Sequence, residues 1–151
     1  ARALAAAGFA VLMIDLRGHG TSSPARMTYG ERERFDVLGA VDWLRGRGHR
    51  RIGVLGASMG AATALLAAAA EPAIEAVVAD SAFADFGAMI RRQYHRLSGL
   101  PGWFLPGALL MGRLLTGAEL RRVCPLAQAG RLRRRPVLVI HSEGDRFVPS
   151  A

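Results

Sequence analysis

A serine with a glycine two residues away on either side suits a nucleophile, and Gly56-Ala57-Ser58-Met59-Gly60 supplies that spacing. Where a strand turns sharply into a helix, glycines at those positions remove side chains that would collide, and the serine hydroxyl is left exposed at the turn. The chemistry is attack on a carbonyl carbon. The pattern alone is weak, because a chain with 18 glycines meets it by chance often enough. Its setting makes it specific: RIGVLG before it reads as a strand and AATALLAAAA after it as a helix.

A serine hydroxyl attacks only when a base takes its proton, and the base must be held by an acid. Asp145 is the first candidate for the acid. It lies in the loop from Ser142 to Pro149, just beyond the apolar run PVLVIH, at the carboxyl end of a strand, where the active sites of open α/β sheets gather. Glu143 in the same loop and Asp80 at the end of EAVVAD are alternatives. The base lacks a candidate in the expected place. The chain order for this arrangement is serine, acid, histidine, and none of His19, His49, His95 and His141 follows Asp145. Each reads as a structural or surface residue, and His141, ending a strand beside the acid loop, is the nearest substitute.

The elements that must hold these residues alternate between two periods. Phe9 to Asp15 is a continuous apolar run entered through Gly8, which predicts a strand buried on both faces and therefore a parallel sheet. Ala1 to Ala7 reads as the end of a helix stopped at Gly8. Thr28-Tyr29-Gly30-Glu31 has the spacing of a capping box, after which Phe35, Leu38, Val41 and Leu44 recur at helical intervals as far as Gly46 and Gly48. Arg51 to Gly56, Glu75 to Asp80 and Pro136 to His141 predict three further buried strands. Ala61 to Ala70, stopped by Pro72, predicts a helix so apolar that it must be buried. Strand and helix in alternation make parallel βαβ units. The exception runs from about residue 81 to 130, strandless and interrupted by Pro101 and Pro106, and is expected to be a helical insertion over the sheet. No repeat and no linker divides residues 1–151, which are read as one partial domain.

Composition narrows the remaining classes. With 51% hydrophobic and 21% charged residues, the chain can bury a real core. The single cysteine, Cys124, excludes an internal disulfide framework and any Cys-rich zinc site. The net charge of +8 comes from arginine alone, in clumps at residues 45–51, 91–96 and 131–135. These read as solvated cations near helix C-termini; without a nucleic-acid-binding signature or interleaved aromatics, nucleic acid is not an expected partner. The most apolar stretch, Trp103 to Leu115, is too short and too interrupted to cross a membrane. A cytoplasmic location is the default expectation. A first residue other than Met predicts upstream sequence.

In order and spacing these motifs resemble the α/β-hydrolases of the Bem46-like or serine-aminopeptidase-like (S33) kind over essentially the whole chain. The resemblance rests on Asp15-Leu16-Arg17-Gly18-His19-Gly20, on Tyr29-Gly30 with Glu33 and Asp36, on GASMG, on Asp80-Ser81 and on PVLVIHSEGDRFVP. It implies an α/β-hydrolase fold, a mostly parallel sheet with flanking helices and a helical insertion. It also implies Ser58 as nucleophile, Asp145 as acid and the backbone N–H of Met59 as one oxyanion donor. Two family features are missing from the sequence: an earlier His-Gly loop bearing the second oxyanion donor, and a later strand followed by the catalytic histidine. The family's sheet also puts one strand between those matching FAVLMID and RIGVLG. Without it two buried strands would carry unpaired backbone groups, at about 1–3 kcal/mol each.

The expectation is therefore a fragment, lacking N-terminal strands and the final strand, of a hydrolase that cleaves an ester, thioester or amide through a Ser-His-Asp triad whose histidine lies outside this chain. No metal or organic cofactor is implied, and the substrate is a small acyl or peptide compound. The apolar residues Trp103-Phe104-Leu105 and Ala108 to Met111 would suit an acyl chain or pack against the sheet. The alternatives are a non-catalytic α/β-hydrolase-like binding module and an inactive truncated product.

Overall fold

The computed structural model describes residues 1–148; Pro149, which closes the expected acid loop, lies outside them. Three strands, β1 (Ile52–Ala57), β2 (Ile74–Asp80) and β3 (Val137–Ile140), form a parallel sheet in the order β1-β2-β3. Helices α1 (Arg2–Ala6) and α2 (Arg34–Gly46) precede the sheet, and α3 (Met59–Ala70) links β1 to β2. Between β2 and β3 run α4 (Phe86–Ser98), α5 (Leu105–Thr116), α6 (Pro125–Gln128) and three 3-10 turns, with no strand. This is the helical insertion the sequence predicts.

Alanine is why α3 can lie against the sheet. A helix of MGAATALLAAAA gives up almost no side-chain entropy on burial, and its small side chains allow close approach. Ala61, Ala64, Ala67 and Ala68 pack with Ile52, Ile74, Val77 and Ala79 of the strands, and with Val37 and Val41 of α2, in one core. A second core joins the insertion to the back of α3: Ala62 and Leu66 meet Phe83, Phe86, Val123 and Val148. Arg135 binds this layer to β3 by donating to the carbonyls of Ala68, Glu71 and Ile74 around the C-terminal end of α3. One of the predicted surface arginines thus satisfies helix-end carbonyls, while Arg131, Arg133 and Arg134 are exposed.

Three expectations need correction. Phe9 to Asp15 joins no helix or sheet among the described residues, and its side chains face solvent, with Phe9 64% and Met13 77% exposed. Apolar composition sets a demand for burial, whereas a strand also needs a neighbour for its N–H and C=O groups; among the described residues β1 pairs only with β2. Nor are β1 and β3 buried on both faces: Leu55 is 58% exposed, and Val137 to Ile140 are all exposed. Finally, Thr28 and Glu31 do not form a capping box. Tyr29 (φ 56°) and Gly30 (φ 109°) turn through the left-handed region, so helix α2 starts only at Arg34 and Glu33 is the residue that reaches back. On α2 the inward stripe includes the expected Leu38, Val41 and Leu44, with Val37 buried where Phe35 was expected.

No helix among the described residues is long and apolar enough to cross a membrane.

Candidate active site

Ser58 sits at the turn from β1 into α3 with φ 51° and ψ −120°. A non-glycine residue in such backbone geometry costs on the order of 1–3 kcal/mol and persists only when its surroundings impose it. Here they do. Ser58 N–H donates to Asp80 C=O at 2.8 Å, and the amides of Ala61 and Ala62 donate to Ser58 C=O, so strand pairing and the first helical turn clamp the residue from both sides. The side chain is exposed. A Cβ on Gly56 would stand 2.2 Å from the carbonyl oxygen of Gly60, whereas a Cβ on Gly60 would meet nothing within 4 Å. Of the two glycines, only Gly56 is required sterically, because the helix backbone itself passes over it.

The register aligns Ala57, Asp80 and Ile140 at the carboxyl ends of the three strands. The next residues, Ser58, Ser81 and His141, therefore lie side by side, and Ser81 N–H donates to Ile140 C=O at 2.8 Å. With adjacent strands about 4.8 Å apart, the backbones of Ser58 and His141 are about 10 Å from one another. His141 Nε2 lies 2.6 Å from Val148 C=O and 3.8 Å from Asp145 Oδ2. The carbonyl can only accept, so Nε2 carries the proton and is committed to the acid loop. Among the described residues no histidine hydrogen-bonds to Ser58: the Nδ1 atoms of His19 and His95 face the carbonyls of Arg17 and Leu100, and His49 is exposed.

Asp145 has one oxygen fixed and one available. Oδ1 accepts from the backbone amides of Phe147 and Val148 at 2.8 and 2.9 Å. These bonds, the Val148 amide foremost, hold its carboxyl below the usual aspartate range, with the nearby His141 ring acting in the same direction. Oδ2 has no hydrogen bond among the described residues and lies 3.8 Å from His141 Nε2. Asp80, by contrast, accepts from the Ser81 hydroxyl at 2.9 Å, and Glu143 is exposed.

A residue not singled out from the sequence steadies this loop. Gln93, 4% exposed on α4, donates through Nε2 to the carbonyls of Arg146 and Phe147, both at 2.9 Å. Its signal was visible: at the spacing of Phe86, Ile90, Gln93 and Tyr94, a polar side chain interrupts an otherwise apolar helix face. On the far side of the first turn, Arg17 forms a bidentate pair with Asp36, its Nη2 2.6 Å from Oδ1. Burial raises the Asp36 pKa, but the Arg17 contacts outweigh it and hold the carboxyl low. Asp15 accepts from the Thr21 amide and hydroxyl, and a Cβ on Gly20 would strike its carboxylate.

A groove of about 500 Å³ lies elsewhere, between Leu12 and Ile14 of the segment before the first turn and Gly39, Ala40 and Trp43 of α2. It touches neither Ser58 nor Asp145, and the chemistry-bearing residues locate the candidate site better than this groove does. Among the described residues no cluster of His, Cys, Asp and Glu could hold a metal ion.

Residues 1–123 match the family model described as Hydrolase_4, serine aminopeptidase, S33. The chain is 37% identical over 147 residues to YqkD, an uncharacterized protein of Bacillus subtilis, covering 94% of this chain and 48% of that protein. Two crystal forms of an esterase from Pyrococcus furiosus are 27% and 26% identical with TM-scores of 0.61 and 0.63, each covering 90% of this chain and 50% of the esterase. An acylaminoacyl peptidase of Pyrococcus horikoshii, at 21% identity and a TM-score of 0.57 over 81% of this chain and 19% of that one, shares the fold. The chain thus spans about half the length of YqkD and of the esterase.

Proposed function

The chain belongs to the Hydrolase_4 family of serine aminopeptidases (S33), and from that premise we propose that it carries the nucleophile and the acid of a serine hydrolase. The observation that carries this reading is the backbone of Ser58, held at φ 51° and ψ −120° on the strand-to-helix turn with its side chain exposed. Backbone strain of this kind clusters at functional sites, and on a strand-to-helix turn it presents a nucleophile.

In the proposed reaction a histidine outside these residues takes the hydroxyl proton as Ser58 Oγ bonds to the substrate carbonyl carbon. The N–H of Met59, in the first turn of α3 and so without an intrahelical acceptor, donates to the oxyanion. Collapse expels the leaving alcohol, thiol or amine with the proton from the histidine, and water then releases the acid from Ser58 by the same steps. Asp145 Oδ2 accepts the histidine's other N–H, while Oδ1 stays fixed by the loop amides. The bond cleaved is an ester, thioester or amide in a small acyl or peptide substrate.

Labelling with a fluorophosphonate probe tests this, on the chain alone and on the protein that supplies the histidine, each beside Ser58→Ala. Labelling of the latter that vanishes in the variant is expected. Labelling of the chain alone would make one of its own histidines the base. A folded, histidine-complete protein that never labels would favour a non-catalytic binding module.

A further inference from the structure

Helix α5 has apolar residues on every side, and only one side is covered. Leu105 is buried and Leu109, Gly112 and Thr116 are half-buried, a set spaced i, i+4, i+7, i+11 that faces the rest of the insertion. The opposite face has the same spacing in Trp103, Gly107, Leu110 and Leu114, with Met111 and Leu115 beside it. These large side chains are 53–73% exposed, and Trp103 stacks on Phe104 with ring centroids 3.7 Å apart. A helix apolar all round is ordinarily surrounded by apolar material.

Cations outnumber carboxylates in the insertion, and Arg113 and Arg121 line one cleft with Leu110 of this face and with Glu119. The insertion carries six arginines, Arg91, Arg92, Arg96, Arg113, Arg121 and Arg122, against two carboxylates, Asp85 and Glu119, and all six arginines are exposed. Arg113 pairs with Glu119 at 3.0 Å. At the C-terminal end of α5, Arg26 and Arg32 reach over from the loop before α2 to the carbonyls of Leu115 and Gly117, adding two cations at the rim of the patch.

We infer that the outer face of α5 with Trp103 is a docking surface for an anionic lipid–water interface, in which the helix lies flat with its apolar stripe among the acyl chains and Arg113 and the neighbouring arginines on the headgroups. Length excludes spanning: 12 residues reach about 18 Å, against about 30 Å of hydrocarbon. Charge complementarity selects the occupant. A second copy packed symmetrically on the same face would bring like arginines together, at a cost in repulsion, whereas an anionic surface attracts each of them. This surface is independent of whether Ser58 is a nucleophile.

The test uses the full chain with Trp43→Phe, which leaves Trp103 the sole indole. Large unilamellar vesicles of phosphatidylglycerol are expected to shift Trp103 emission to the blue, vesicles of phosphatidylcholine to leave it unchanged, and high salt to reverse the shift. Leu110→Ser with Leu114→Ser, both at exposed positions, is expected to weaken vesicle binding roughly tenfold or more with helix content and melting temperature retained. Four results overturn the inference: no shift with either lipid; an equal shift with both; binding undiminished in the double variant, which would point to the exposed residues 9–15 instead; or a dimer whose Trp103 is already shielded before vesicles are added.

Discussion

Glu33→Gln is the change that most directly tests how the turn before α2 is built. Glu33 is fully buried, and its carboxylate takes three hydrogen bonds: the Thr28 amide on Oε1 at 2.6 Å, and the Thr28 hydroxyl and Gly30 amide on Oε2 at 2.6 and 2.8 Å. A glutamine keeps its oxygen toward the Thr28 amide, as a weaker neutral bond. Its NH2 group can donate to the Thr28 hydroxyl, but it meets the Gly30 N–H donor to donor. One buried amide is left without an acceptor, at about 1–3 kcal/mol, and the charge assistance of the surviving bond adds about 1 kcal/mol. The expected destabilisation is thus about 2–4 kcal/mol in urea unfolding at pH 7. Glu31→Gln, the change a capping box would make costly, is expected to be near neutral, because Glu31 Oε2 is buried with no partner among the described residues.

Burial pushes the Glu33 pKa up, but the bonds from Thr28 and Gly30 outweigh it and leave it below the ordinary 4.5. The folded pKa is depressed, so this stabilisation is fully present above about pH 4.5 and fades as the pH falls through the folded value. The gap between wild type and Glu33→Gln should therefore narrow in acid. A Glu31→Gln cost exceeding that of Glu33→Gln, or a gap that widens below pH 4.5, would refute the reasoning.

Other substitutions probe the site itself. Gly56→Ala places a methyl group 2.2 Å from the Gly60 carbonyl oxygen; it should cost more than about 3 kcal/mol or leave the protein insoluble, while Gly60→Ala, with open space, should melt close to wild type. Asp145→Asn retains an oxygen for the Phe147 and Val148 amides, so thermal unfolding should move little, yet fluorophosphonate labelling of the histidine-complete protein should slow by about 10⁴-fold. Equal losses of stability and labelling would make Asp145 structural. Gln93→Leu releases the carbonyls of Arg146 and Phe147, and hydrogen exchange should accelerate at the Phe147 and Val148 amides while those of β2 stay protected; unchanged exchange would show that the acid loop holds itself.

The strand-to-helix turn at Ser58, the buried alanine helix and the strandless insertion are legible in the sequence because each rests on local chemistry: periodicity, glycine at a close approach, proline as a stop. The order of the acid loop after a strand is legible for the same reason. What the sequence could not disclose are the relations between distant residues. The run Phe9 to Asp15 has the composition of a buried strand, but a strand exists only with a neighbour, and which backbone pairs with which is decided in three dimensions. Thr28-to-Glu31 spacing predicted a cap, yet two left-handed residues redirected the chain, and it is Glu33 that reaches back to the amides of the turn. Gln93 was not singled out, because only tertiary packing sets it against two carbonyls more than fifty residues away. Local pattern determined the three strands, the buried helix between the first two and the candidate nucleophile. The alignment of Ser58, Ser81 and His141 across three strands, the commitment of His141 to the acid loop and the uncovered face of α5 follow from register and packing, which no short stretch of sequence encodes.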